Sequence, residues 1–266
     1  MIKVAVIGAL GRMGRSISSL VLSDSDLQLV GATEATGHPE IGKNLSNILG
    51  FDNEEIFVEE AIEKACENAD VIVDFTNPEN TLKTLNYAKE NNKTVVIGTT
   101  GFNTDQKKEF DSLASSVPGV FSPNMSIGVN VLFEISKQVA GYLGDSYDIE
   151  IVETHHKNKV DAPSGTALGL GNAVAEGRGI DLMDNAVFVR YGNTGQREKG
   201  TIGLQTLRGG DVVGDHTVYF LGDGERIELS HRATNRNNFS AGVVKAAKWI
   251  SGKTPGVYSM KDVLGL

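Results

Sequence analysis

The sequence has a single cysteine, Cys66, in 266 residues. No disulfide framework can therefore form within the chain, which fits a reducing compartment. In the mixed stretch AIEKACENAD that thiol reads as a small buried apolar group rather than a reactive nucleophile. No apolar run approaches the length of a membrane span. The N-terminal apolar stretch is broken at Gly8, Gly11 and Arg12, too early for a signal peptide, so the expected location is the cytoplasm. Positive charge is also scarce. The 25 Lys and Arg against 34 Asp and Glu leave a net charge of −9, which argues against general affinity for nucleic acid or an anionic membrane. Internal repeats and low-complexity segments are absent too. What remains is 40% hydrophobic and 22% charged, with 31 glycines, an ordinary composition for a globular chain rich in tight turns. Its length allows two modest domains or one large one.

Short apolar runs alternate with helix-like segments through the first half, the pattern of a parallel sheet with crossover helices. Strands are expected at Lys3–Gly8, Leu27–Thr33, Val71–Phe75, Thr94–Ile97 and Val120–Ser122, and helices at Gly11–Leu22 and, after Pro78, at Glu79–Asn91. Continuous Val/Ile runs suit strands buried on both faces. After Asn124 the character changes. Val129, Leu132, Phe133, Ser136, Val139, Ala140 and Leu143 recur at helical spacing, with Gly144 as a C-terminal cap. Strand candidates follow at Tyr147–Val152, Ala186–Tyr191, Thr201–Leu207, Thr217–Leu221 and Arg226–His231, the last two joined by the turn Gly222-Asp223-Gly224. One helix, Ser164–Glu176, lies among them. Two helices cover only one face of such a sheet, so the other face is expected to meet another copy of the chain. In the segment Phe239–Ile250, Val243, Ala246, Ala247 and Ile250 form the stripe of a core-facing helix, with no indication of which domain it joins.

The first strand runs into Gly8-Ala9-Leu10-Gly11-Arg12-Met13-Gly14 and then directly into a helix. Glycines let a backbone turn sharply and approach a pyrophosphate, whose charge rests on the helix N-terminal N–H groups. The spacing is one residue longer than the common G-x-G-x-x-G. Its context supports it: a strand before, a helix after, and Glu34 just past the second strand, able to accept hydrogen bonds from the adenosine ribose. That carboxylate disfavours a 2′-phosphate, pointing to NADH before NADPH, whereas Arg12 could meet such a phosphate.

A second motif stands out in an acidic chain. Residues 153–166 read Glu-Thr-His-His-Lys-Asn-Lys-Val-Asp-Ala-Pro-Ser-Gly-Thr, with His155, His156, Lys157 and Lys159 in five positions. Histidine can shuttle protons near neutrality and lysine supplies a point charge or a proton. Ser164 is a good N-cap for the helix that follows, and the N–H groups of Gly165 and Thr166 would bind a carboxylate, so the pair of features suits a dicarboxylate. Adjacent histidines without a third ligand at supporting spacing do not suggest a metal. His38, His216 and His231 are isolated in sequence and read as structural or exposed; Asp74 and Glu153 sit at strand ends with nothing in their spacing to assign them a role.

These motifs together resemble the dihydrodipicolinate reductase family, whose members act in the diaminopimelate route to lysine. The likeness runs through VAVIGALGRMGR, VDFTNPENT (73–81), VIGTTGF (96–102), SPNMSIGVNV (122–131), ETHHKNKVDAPSGTA (153–167) and GDHTVYFLGDGERIELSHRA. The resemblance implies an α/β fold: a Rossmann-type parallel-sheet domain from residues 1–126 plus 236–266, completed by the C-terminal helix. It also implies an inserted α+β substrate and oligomerisation domain, 127–235, built on a mixed sheet. It implies a homotetramer assembled through those sheets, a cyclic imine dicarboxylate as substrate, and NADH and/or NADPH as hydride source. By the same resemblance Gly8, Ala9, Leu10, Gly11, Arg12 and Met13 cradle the pyrophosphate, and Glu34 holds the ribose. Gly98, Thr99, Thr100, Ser122, Pro123, Asn124 and Met125 line the nicotinamide side. His155 exchanges a proton, Lys159 donates one, and His156, Gly165 and Thr166 hold the substrate. Some members carry an arginine directly after the acidic residue, where this chain has Ala35, so dual cofactor use with a bias to NADH is expected. The residues taken without the resemblance leave two rivals: another two-domain NAD(P)-dependent dehydrogenase, and a non-catalytic dinucleotide-binding redox sensor.

Overall fold

The computed structural model describes residues 1–52 and 55–266. The β-branched runs become strands. In chain order these elements are β1 (Ile2–Ile7), α1 (Arg12–Leu22), β2 (Leu27–Thr33), α2 (Leu45–Leu49), β3 (Val58–Glu59), α3 (Ile62–Cys66), β4 (Val71–Asp74), α4 (Pro78–Glu90), β5 (Thr94–Ile97), α5 (Thr104–Ala114) and β6 (Pro118–Phe121). The next segment contains α6 (Ile127–Leu143), β7 (Asp148–His155), α7 (Gly165–Arg178), α8 (Leu182–Asn185), β8 (Ala186–Val187), β9 (Ile202–Arg208), β10 (Gly214–Gly222) and β11 (Glu225–Ala233). The chain closes with α9 (Asn237–Ile250), β12 (Gly256–Tyr258) and α10 (Met260–Leu264). Two compact units result, Met1–Ile127 with Asn237–Gly265, and Gly128–Arg236.

The first unit is built on a seven-stranded parallel sheet in the order β12-β6-β5-β4-β1-β2-β3. Successive residues of β1 feed opposite sides, Val4 and Val6 one core cluster, Ala5 and Ile7 the other. This is why the strand reads as an unbroken apolar run. The stripe Val243, Ala246, Ala247 and Ile250 of α9 joins the cluster of Val4 and Val6, so the C-terminal helix belongs to this unit. At Gly242 a side chain would collide with the Met125 carbonyl, which fixes how closely that helix approaches. Cys66 is fully buried, and burial pushes its thiol up to about 12, so it behaves as the inert apolar group expected from its surroundings.

The second unit is a mixed sheet ordered β11-β10-β7-β9-β8, with β7–β9 and β8–β9 parallel and the remaining pairs antiparallel. Ile149 and Ile151 of β7, Ile202 and Leu204 of β9, and Val218 and Phe220 of β10 pack with Leu170 and Val174 of α7. Helices α6 and α7 come close enough that a side chain at Gly177 would strike the Lys137 carbonyl. The strand expected at Ala186–Tyr191 stops at Val187: Arg190 turns to make a paired contact with Glu150, at 2.8 Å from each oxygen.

Candidate functional site

In the first unit, β1 is followed by β2 on one side, and β4 and β5 lie on the other, so the strand order reverses between β1 and β4. Ligands of such sheets bind at the carboxyl ends of the strands beside that reversal. The segments picked out in the sequence gather at those ends: Gly8–Met13 after β1, Glu34 after β2, Gly98–Thr100 after β5 and Ser122–Met125 after β6. Gly8 has φ +68°, open to glycine, and a Cβ there would stand 2.6 Å from Thr76 Cγ2. A Cβ at Gly14 would collide with the Gly8 carbonyl oxygen. Gly11 caps α1 without a side-chain hydrogen bond, so the first-turn N–H groups are open to an anion.

Not every residue of the loop contributes in the same way. Ala9 and Met125 are buried and Leu10 nearly so; their side chains belong to the core. The Ala9 N–H donates to the Thr33 carbonyl at 2.8 Å, and the Leu10 N–H to Glu34 Oε2 at 3.0 Å. The other Glu34 oxygen accepts from Ala35 N at 2.9 Å. Glu34 thus turns its carboxylate toward the glycine loop, and it borders a cleft shared with Gly8, Ala35, Thr76, Asn77 and Lys83.

The sequence reading missed the contribution of β4. Asp74 is fully buried at its end, accepting from Thr76 N (2.9 Å), Thr76 Oγ1 (2.6 Å) and Thr84 Oγ1 (2.7 Å). Burial raises its pKa against the pull of those donors. It fixes the loop that covers Gly8, while Thr81 donates to Thr99 at 2.8 Å and ties in the loop after β5.

The second unit assembles a polar cluster on the buried face of its sheet. Ile149, Ile151, Glu153 and His155 share one face of β7. Cross-strand partners bring Thr206 and His216 beside Glu153, and Arg208 beside His155. Glu153 is fully buried. Its Oε2 meets His155 Nδ1 at 2.5 Å and Arg208 Nη1 at 2.8 Å. Its Oε1 accepts from Arg208 Nη2 (2.9 Å), Ser164 N (3.0 Å) and Thr206 Oγ1 (3.2 Å). Burial alone would raise this carboxyl, but Arg208, His155 and the Ser164 N–H outweigh it and hold it at about 2. Burial lowers the His155 pKa, with Lys159 and Arg208 adding to the effect and Glu153 opposing it.

His216, read from the sequence as structural or exposed, is buried and joins this cluster. Its ring packs edge to face on His155, and its Nε2 lies 3.1 Å from Ser164 Oγ. Burial pushes it down to about 4. The same serine caps α7 by accepting from Ala167 N at 3.1 Å. The basic loop is braced from behind: His156 N donates to the Val212 carbonyl (2.8 Å) and Lys157 N to that of Gly210 (3.2 Å). Lys159 Nζ pairs with Asp161 at 2.8 Å, and His156 Nδ1 is buried with no partner among the described residues. The cluster can therefore hold an anion at the start of α7 and exchange protons beside it.

One signal could have found Glu153, Arg208 and His216 beforehand. Each stands at the period-two phase of buried apolar residues on its own strand: Ile149 and Ile151, Ile202 and Leu204, Val218 and Phe220. Ionisable groups on the apolar face of a strand call for partners.

Two family models match the chain. "Dihydrodipicolinate reductase, N-terminus" covers residues 2–125, and "Dihydrodipicolinate reductase, C-terminus" covers 128–264. A 4-hydroxy-tetrahydrodipicolinate reductase of Geotalea daltonii is 48% identical over 266 residues, all of both chains. One from Anaeromyxobacter dehalogenans strain 2CP-1 is 49% identical over all of this chain and 98% of its own. Among solved structures, a dipicolinate-bound dihydrodipicolinate reductase from Paenisporosarcina sp. TG-14 is similar with a TM-score of 0.77 and 26% identity, over 97% of each chain.

Proposed function

The chain belongs to the dihydrodipicolinate reductase family, and from that premise we propose how its residues divide the work. It is an NAD(P)H-dependent oxidoreductase that reduces 4-hydroxy-tetrahydrodipicolinate to tetrahydrodipicolinate, in diaminopimelate and lysine biosynthesis. The first unit fits a dinucleotide. Gly8 and Gly14 make the turn possible where a Cβ would collide, and the uncapped start of α1 offers N–H groups to the pyrophosphate. Arg12 and Met13 carry the N–H groups of that first turn, while Ala9 and Leu10 shape the loop from the core side. Glu34 accepts the adenosine ribose hydroxyls, releasing its present hold on Leu10 N. Gly98–Thr100 and Ser122–Met125 border the nicotinamide end. A bound nicotinamide supplies the hydride. Glu34 followed by Ala35 places negative charge where a 2′-phosphate would sit, and the Lys83 that borders the same cleft is paired with Glu79, so both cofactors serve, with NADH preferred.

In the second unit, His156, Gly165 and Thr166 hold the substrate carboxylates at the start of α7. The buried Nδ1 of His156, without a partner among the described residues, is the observation that favours a ligand there. The 4-hydroxyl leaves as water to give the conjugated cyclic imine; hydride then adds to that ring and leaves negative charge on it, and that charge calls for a proton. His155 and Lys159 hold the candidates, at Nε2 and Nζ respectively. The reading rests on one observation above the others: the histidine–lysine loop and the Ser164 cap of α7 share a single hydrogen-bonded cluster through Glu153. Assembly into a homotetramer through the second unit's sheet fits the exposed Leu207 and Leu221 on the face opposite α7.

The test is the Lys159→Ala variant assayed with each cofactor. A loss of kcat on the order of 10²–10⁴-fold with an unchanged NADH dissociation constant is expected for a proton donor. Collapse of cofactor affinity instead would remove Lys159 from that role.

A further inference from the structure

The assignment of His155 as the group that exchanges a proton leaves open which ring nitrogen does so and what holds the ring. We propose that Glu153 is the positioning residue for this reaction: its carboxylate, anchored by Arg208, holds His155 by Nδ1–H and leaves Nε2 as the atom that faces substrate.

Among the described residues, every hydrogen-bonding partner of the Glu153 carboxylate is a donor. The Arg208 guanidinium takes both oxygens, the Ser164 N–H and Thr206 hydroxyl share Oε1, and His155 Nδ1 meets Oε2. A carboxyl so surrounded is ionised and has no proton to give. The 2.5 Å contact to Nδ1 therefore requires the hydrogen on the histidine. In the neutral ring Nε2 is then the bare acceptor, and in the cation it is the donor left over for substrate. The opposite end of the ring is kept clear by Gly214, where a Cβ would stand 3.0 Å from Nε2. Arg208 is itself fixed, donating to the Asp161 and Leu207 carbonyls at 2.7 Å each. Carboxylate, guanidinium and imidazole form a chain in which each member has one orientation.

A purely structural reading would make Glu153–Arg208 an ion pair that fastens the 155–166 loop to β9. The two differ in what they say about the proton. The charged and titratable groups facing His155 are Glu153 on its own strand, Arg208 on β9, His216 on β10 and Lys159 in the loop. Only Glu153 favours the protonated ring, so its removal moves the titration of His155 downward.

This proposal rests on the proton role given to His155, and the experiment separates the two. In Glu153→Gln, kcat is expected to fall at least 100-fold, with substrate KM within threefold of wild type and the NADH dissociation constant unchanged. The limb of the pH–kcat profile that vanishes in His155→Asn is expected to move to lower pH. A folded Glu153→Gln enzyme with that limb in place overturns the proposal. If His155→Asn keeps the wild-type profile, the premise falls and the proposal with it. A measurement on the unaltered protein stands independently of whether the variant folds. With ¹⁵N-histidine labelling, the His155 resonances, found by difference against His155→Asn, should show hydrogen on Nδ1 and a bare Nε2 at pH 8. The reverse tautomer overturns the proposal.

Discussion

The imidazoles of His155 and His216 meet edge to face, centroids 5.1 Å apart and planes at 76°, on the buried face of one sheet. Both titrate below an ordinary histidine because burial disfavours the cation, His216 at about 4. A group whose folded pKa is depressed contributes stability that is present above its unfolded pKa and lost as pH falls toward its folded value. For His216 the interval runs from about 6.5 down to about 4 and is worth on the order of 3 kcal/mol across its width. Glu153, held at about 2 against 4.5, adds a further loss between those values. The melting temperature of the protein should therefore fall steadily from pH 7 to pH 4.5. In His216→Gln that slope should flatten, whatever the variant's stability at pH 7. An equally steep slope would show that His216 does not govern it.

Legibility in the sequence followed burial. Strands β2 and β5 end where the apolar runs end, because a strand enclosed on both faces writes itself as such a run. Helix α5 was not legible, since only Phe110, Leu113 and Ala114 of its eleven residues are buried and its start is set by an Asn103–Gln106 capping box. Val189 and Tyr191 read as strand on β propensity alone, yet both are exposed and Arg190 follows Glu150 instead. At the site, the crowding of His155, His156 and Lys159 was visible because it is local. Glu153, Arg208 and His216 come together only through strand pairing, and Asp74 acts through Thr76 and Thr84 on separate turns. A single chain's spacing does not show cross-strand neighbours.

Two glycines of the first loop should respond differently to one added methyl. At Gly14 a Cβ strikes the Gly8 carbonyl and the Ala9 backbone, neither of which can give way without moving α1. Gly14→Ala is expected to cost about 1–3 kcal/mol in stability as overpacking does, and to weaken NADH at least tenfold. Gly11 has φ −66° and ψ 167°, ordinary for alanine, and its Cβ would meet only the Gly8 oxygen at 3.2 Å. Gly11→Ala should stay within about 1 kcal/mol of wild type. Thermal melts with and without NADH distinguish the two; equal destabilisation would contradict this difference in packing.

The face of the second sheet opposite α7 presents Leu207, 54% exposed, and Leu221, 37% exposed, among Thr154, Thr217 and Tyr219. If copies assemble through this face, Leu207→Glu buries an unpaired carboxylate in each interface and should shift the mass measured by light scattering toward smaller species. Circular dichroism should be unchanged, since the residue makes no part of the core. A variant of unaltered mass would place the assembly elsewhere.

The proposed cofactor choice turns on Glu34 and its neighbour. The Glu34 carboxylate is held by the Leu10 and Ala35 N–H groups, so it is already aimed at the loop where an adenosine ribose would lie. Two vicinal hydroxyls can replace those N–H donors; a 2′-phosphate brings a second anion to the same place and is repelled. Lys83 borders this cleft, but it is paired with Glu79 at 2.8 Å, which reduces its worth as a counter-charge. The wild-type enzyme should accordingly show higher kcat/KM with NADH than with NADPH. In Ala35→Arg a guanidinium next to Glu34 can reach the phosphate. A hydrogen bond to a charged group contributes about 1.5–3 kcal/mol, so the NADPH-to-NADH ratio of kcat/KM should rise by roughly tenfold or more. Raising salt should erode that gain, because the new contact is exposed and screened. A large NADPH advantage in the wild-type enzyme would mean that the cation recognising the phosphate is one already present, and Arg12, exposed on the first turn of α1, would be the residue to substitute next.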